Sequence, residues 1–198
     1  MSGMRASLVT VMGLVLLSGC GSVLGTKTPP DTYALTGTPE VEGRASPRRQ
    51  ILIAEPIALK ALDSEQIVIK PTPSSIQYLA DSQWSDRLPK IVQAKLIQAF
   101  ENSGRVGGVG RPGEGLAIDY QISTSIRSFE VRVQGGKTAV VEISAKVIND
   151  RNGSVRDQQV FRSTSPVRGS SNEAYVEALD RAFDNVTADL VRWALQRF

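Results

Sequence analysis

One alternating run constrains this chain more than any other feature. Leu116, Ile118, Tyr120, Ile122 and Ile126 occupy alternate positions with residues between them that, apart from Ala117, are polar. A period of two puts successive side chains on opposite faces of an extended chain, so the segment reads as a half-buried β-strand. The parity then changes, and Phe129, Val131 and Val133 continue the pattern one position out of step. A strand keeps one face buried across such a change only with an extra residue, so a bulge or bend is predicted near Arg127-Ser128. Gly135-Gly136 is a hairpin turn signal, and Val141, Ile143, Ala145 and Val147 form a returning strand. Asn152-Gly153 is a second and stronger turn signal, so Val155 to Ser163 closes an antiparallel meander.

The flanking segments supply the layers that such a sheet needs. Ile51-Leu52-Ile53 stops at Pro56 and Ile67-Val68-Ile69 stops at Pro71. Both are short, β-branched and closed by proline, which favours buried strand, and Ile76 to Leu79 is a weaker third candidate. Ser85 or Asp86 then caps a helix with Pro89 in its first turn, and Leu88, Ile91, Val92, Leu96, Ala99 and Phe100 form its apolar face. Gly104 is placed to end that helix. A longer helix runs from Asn172, with Tyr175, Leu179, Ala182, Val186, Leu190 and Trp193 in one continuous stripe and Glu177 and Arg181 as an i,i+4 pair. The expected class is α+β, a mixed or antiparallel sheet covered by two amphipathic helices, in a single domain.

The first twenty residues carry a different signal. Arg5 precedes an apolar run from Leu8 to Leu17, which suits a signal-peptide core but is short of the roughly 20 residues a spanning helix needs. The run ends in Leu17-Ser18-Gly19-Cys20, which resembles the lipobox of bacterial lipoproteins. The resemblance implies a diacylglycerol on the Cys20 thiol and cleavage just before it. Cys20 is the only cysteine in the chain, so it has neither a disulfide partner nor a companion metal ligand. Residues 1–19 are expected to be a signal peptide, 20–49 the lipidated cysteine and a Gly/Ser/Thr/Pro-rich tether, and 50–198 the folded domain. Tyr33 and Leu35, the sizeable apolar residues of the tether, are expected to begin the fold as an edge strand. Gly21 rather than Asp after the cysteine resembles the outer-membrane sorting signal.

The composition narrows the chemistry. The chain holds no histidine, which removes the commonest general base and metal ligand. Neither catalytic, cofactor nor metal residues are assigned. Gly108-Val109-Gly110-Arg111-Pro112-Gly113 matches G-x-G-x-x-G, but a helix precedes it and a strand follows. That is the reverse of the dinucleotide arrangement, so a surface loop is expected. Asp119, Glu130 and Glu142 lie in or beside strands and are expected on the polar face of the sheet. Ser123 and Ser125 have no histidine to activate them. Trp84 and Trp193 are expected to pack between helix and sheet. A net charge of +3, with no lysine-rich run and no aromatic-basic interleaving, disfavours nucleic acid.

The ordered set of features resembles the ABC-type transport auxiliary lipoproteins, a PqiC-like family. Tyr33-Ala34-Leu35 follows the tether, Ile51 to Pro56 forms the early strand, and Tyr78 and Trp84 precede the first helix. Ser103-Gly104 ends that helix, Asp119-Tyr120-Gln121-Ile122 leads to Phe129, and Ala178-Leu179 and Trp193 lie on the last helix. The Gly-rich stretch from Val106 to Gly115 is longer than the family pattern. The resemblance implies a non-catalytic accessory, anchored at the outer membrane on its periplasmic side. Its partner would be an MCE-type periplasmic substrate-binding protein of an ABC system for phospholipids or other hydrophobic compounds. It leaves homo-oligomerisation open. A carrier that shelters an acyl chain between helices and sheet is the alternative, and an envelope hydrolase the second.

Overall fold

The computed structural model describes residues 29–198. The expected signal peptide, Cys20 and the first part of the tether lie outside the described residues. In chain order the elements are β1 (Asp31–Tyr33), β2 (Ser46–Ile53), β3 (Ile57–Ala58), β4 (Gln66–Lys70), β5 (Gln77–Trp84) and α1 (Leu88–Ser103). They continue with β6 (Val106–Gly110), β7 (Tyr120–Arg132), β8 (Thr138–Asn149), β9 (Val155–Pro166) and α2 (Asn172–Leu195). The nine strands form one mixed sheet, and the α+β class expected from the sequence is the class observed.

The alternating segment is the spine of this sheet. One edge of β7 pairs antiparallel with β8 over its whole length, and β8 pairs antiparallel with β9. Its other edge is met in turn by β2, β3 and β4, all parallel to it and laid end to end. Pro56 and Pro71 break this second edge into pieces because a proline donates no ladder hydrogen bond. Beyond β2 lies β6, parallel; beyond β4 lie β5, antiparallel, and β1, parallel to β5. The sheet therefore has β9 at one margin, and β6 and β1 end the two branches on the other side of β7.

The predicted bulge is present. Ile126 faces Ile143 while Ser128 faces Glu142, so Arg127 is the extra residue that opposes nothing. It lets Tyr120, Ile122 and Ile126 before it and Phe129 and Val131 after it bury on one face. Both helices pack on that face, α1 over β2 and β6 and α2 over β7, β8 and β9. Trp84 stands edge-on to Phe129 with centroids 5.8 Å apart, and Trp193 does the same to Phe161 at 5.5 Å. Both tryptophans thus occupy the packing role expected of them. Phe183 and Phe100 fill the remaining space under the helices.

Four local expectations are revised. The cap of α1 is Arg87, with no side-chain cap bond; Asp86 instead accepts from the Arg87 N–H at 2.7 Å. Gly104 ends the helix as expected, at φ 60°. Leu116 and Ile118 precede the strand, which starts at Tyr120, and Leu116 is exposed. Val106 to Gly110, expected as a loop, is the edge strand β6, in which a Cβ on Gly107 would lie 2.4 Å from the Pro47 carbonyl oxygen. The backbone of β2 approaches so closely that only glycine fits, and this disguises a strand as a flexible segment. Finally, the packed body begins well before Gln50. β1 joins the sheet, Leu35 and Val41 are in the core, and residue 50 falls inside β2.

Candidate functional site

Two surfaces stand out. The first is where the N-terminal segment meets α2. The Tyr33 hydroxyl donates to Glu173 Oε1 at 3.0 Å, and one helical turn pair further along, Asp180 accepts from the backbone N–H groups of Thr36 at 3.0 Å and Gly37 at 3.3 Å. The Thr36 hydroxyl also donates to Asp180, and Lys95 of α1 donates to the Thr36 carbonyl at 3.3 Å. Glu173 and Asp180 are seven positions apart, two helical turns, so they present to the same side. Between them Leu35 is buried. The Tyr-x-Leu pattern is thus a clamp that fastens the start of the fold to the last helix. The pKa of Glu173 is lowered from the ordinary 4.5 by its own backbone N–H, by Ser171 and by Tyr33.

Asp184, one turn beyond Asp180, behaves oppositely. Its Oδ1 is buried with no hydrogen-bond partner, and burial together with the neighbouring Asp180 carboxylate pushes its pKa up, against the pull of Lys95. A Cβ on Gly37 would sit 1.8 Å from that oxygen. The clamp therefore closes tightly only because residue 37 has no side chain.

The second surface is the sheet face away from the helices. Its side chains follow from register and alternation. Ile57 of β3, Ser125 of β7, Ser144 of β8 and Val160 of β9 form one row across it. Ser128, Glu142 and Arg162 form the next, with Arg127 beside them at the bulge. Val68, Glu130, Val140 and Thr164 form a third, and Lys70, Arg132 and Thr138 a fourth. Each carboxylate sits between two cations. Glu130 is 3.5 Å from Lys70 and 2.9 Å from Arg132, and Glu142 is 3.9 Å from Arg127 and 3.7 Å from Arg162. Glu142 lies on the polar face, as expected, whereas Glu130 points to the same side but is buried in its row with Val68 and Val140. Asp119 does not join them. It precedes β7 and accepts from Arg49 and the Gln50 N–H at 3.1 Å each, with Arg151 at 3.4 Å, and these contacts hold its pKa below the ordinary 3.8.

No catalytic constellation comes together among the described residues. Among the described residues no group of three or more acidic or cysteine side chains could hold a metal, and no helix is long and apolar enough to cross a membrane. Ser123 and Ser125 lie on the uncovered face with no basic partner that the hydrogen bonds reveal. Between helices and sheet, Trp84, Phe100, Phe129 and Phe183 are each under 2% exposed. Neither the clamp nor the doubled cations was foreseeable from composition. An edge strand at Tyr33 was visible, though it ends there and Leu35 lies beyond it, and the partner of Tyr33 is about 140 positions away.

Such a molecule is a sheet-and-two-helix domain with a fastened N-terminal lead and a charged, helix-free sheet face. The chain matches the ABC-type transport auxiliary lipoprotein component family over residues 33–191, and it belongs to that family. It is 29% identical over 184 residues to an uncharacterized protein of Bradyrhizobium diazoefficiens, covering 91% of this chain and 49% of the other, so it spans about half the length of that relative. The crystal structure of protein XCC0632 from Xanthomonas campestris is similar at a TM-score of 0.73 and 27% identity, over 84% of this chain and 96% of that one. A second crystal structure, of an uncharacterized protein, shares the fold at a TM-score of 0.66 and 14% identity, over 82% of this chain and 97% of that one.

Proposed function

We propose that this protein is a non-catalytic docking component, lipidated at Cys20 and held at the periplasmic side of the outer membrane. There it receives the periplasmic MCE-type protein of an ABC system that moves phospholipid or another hydrophobic compound. The family match over residues 33–191 carries this reading. The surfaces support it, because the charged groups are arranged as an exposed face rather than converging on a reacting atom. A chain without histidine also lacks the usual general base. Acylation supplies the anchor: each buried methylene contributes about 0.8 kcal/mol, so two or three chains hold the protein almost permanently.

The test has two parts. Cys20→Ser is expected to abolish labelling by an alkyne-tagged palmitate and to leave the precursor uncut, and persistent labelling would refute the anchor. Co-purification from the native host under mild crosslinking is expected to recover an MCE-type protein. Sedimentation of the acylated protein with inner membranes alone would refute the outer-membrane placement.

A further inference from the structure

The helix-free sheet face has a vertical order that its charge count conceals. Four cations and two carboxylates interleave on it, yet they do not stand at the same height. The Glu130 side chain is 2% exposed and Glu142 22%, whereas Arg132, Arg127 and Arg162 are 42%, 52% and 51% exposed. The acids lie on the floor and the guanidinium groups stand above them. Lys146, exposed in the row beside Ser144, adds a further cation. The face therefore presents positive charge outward, although the described residues as a whole are nearly balanced in charge.

Next to these arginines the row from Ile57 to Val160 holds two exposed apolar side chains, 69% and 45% accessible, separated by the small Ser125 and Ser144. Arginines beside apolar anchors are the composition of a protein interface. The bulge is part of the design, because it projects Arg127 over Glu142 on the face opposite the core.

We infer that this face is the docking surface, and that it receives an acidic segment of the partner protein, with carboxylates against Arg127, Arg132 and Arg162 and apolar side chains against Ile57 and Val160. The inference rests on the docking role proposed above and names its surface and the partner's charge. A second copy of this chain is the competing occupant, and the crosslinking below separates it from the partner. A membrane surface fits less well, since fixed acids between the cations suit a patterned partner rather than a uniformly anionic layer.

Photocrosslinking in the native host tests this on the full-length acylated protein. A benzophenone amino acid replaces Val160, or Ile57 in a second strain, and thermal melting confirms that each variant folds. An adduct on an acidic segment of the MCE-type protein is expected. Arg127→Glu with Arg162→Glu should reduce it at least about tenfold, while Arg192→Glu on α2 leaves it unchanged. Should the double reversal fail to fold, raising ionic strength on the wild-type charges must weaken the adduct instead. An arginine-dependent adduct on an acidic segment of a different protein keeps this surface and refutes the MCE partner. An MCE adduct indifferent to the arginines and to salt overturns the surface inference alone. Adducts on lipid or on a second copy, or none at either position, overturn it as well, and co-purification then decides the docking reading separately.

Discussion

Asp184 shows how one side chain sets the cost of fastening the N-terminal segment. Its folded pKa is raised above the ordinary 3.8 by burial and by Asp180. For an acid with a raised folded pKa, folding favours the protonated form. Its contribution to stability is therefore complete below the unfolded value and is lost as pH rises through the folded one. At neutral pH the ionised carboxylate opposes folding. Asp184→Asn keeps the shape and removes the charge, so it should raise the melting temperature at pH 7, with the gain shrinking as pH falls toward 3.8. Melting curves across that range check it; an equal gain at every pH would assign the effect to packing. Asp119 has the opposite sign. Its lowered pKa, due to the Gln50 N–H and Arg49, contributes stability above 3.8 that is lost as pH falls through the folded value.

The elements carry two further expectations. Trp193 is buried in the stripe of α2 and packs edge-on against Phe161 of β9. Trp193→Ala should cost about 3–5 kcal/mol in denaturant unfolding, the range for a buried aromatic; a loss under about 1 kcal/mol would place it outside the core. In β7, deleting Arg127 removes the residue that opposes nothing and leaves Ile126, Phe129 and Val131 on their present face. Deleting Thr124 instead shifts the side chains on one side of the cut to the wrong face. The first deletion should give a folded protein with a less twisted sheet, and the second an unfolded one, as circular dichroism and melting would show. The bulge was legible because a change of parity has few physical causes. The meander and α2 were legible because their periods are long and their turn residues explicit. The cap of α1 was not, because Ser85 and Asp86 are good cappers one or two positions too early. Nor was β6, since three glycines among Val106–Gly110 resemble a loop until the backbone of β2 is in place. The parallel alignment of β2, β3 and β4 along β7 depends on non-local register, which no local pattern encodes. Of the functional surface, the side of the sheet that Glu130 and Glu142 take was visible from alternation, but the arginines standing over them were not, because cross-strand neighbours follow from register.

At the scale of the whole molecule, the clamp changes where the anchor ends and the domain begins. A composition rich in glycine and proline made residues 21–49 look like tether, yet isolated apolar residues within it, Leu35 and Val41, are buried in a core that only the folded domain provides. Cys20 and Asp31 are eleven positions apart, a stretch that reaches at most about 40 Å when fully extended. A lipidated Cys20 would thus keep the domain within one short lead of the membrane, with β1 at the near margin of the sheet and the free edge of β9 at the other. The boundary has a direct test. A chain starting at Thr28 keeps every described contact, whereas one starting at Gln50 loses β1, the Tyr33–Glu173 bond, the three donors to Asp180 and the burial of Leu35 and Val41. It also loses the first half of β2 and with it the Ser46–Val106 pairing to β6. Burial of two aliphatic side chains alone contributes about 3–6 kcal/mol, a large part of the 5–15 kcal/mol that holds a domain folded. The shorter chain should therefore melt at least about 10 °C lower and expose its tryptophans, while the longer one melts like the full-length protein. Equal melting temperatures would return the N-terminal segment to the role of a simple tether and remove the clamp from the account of how the domain is held.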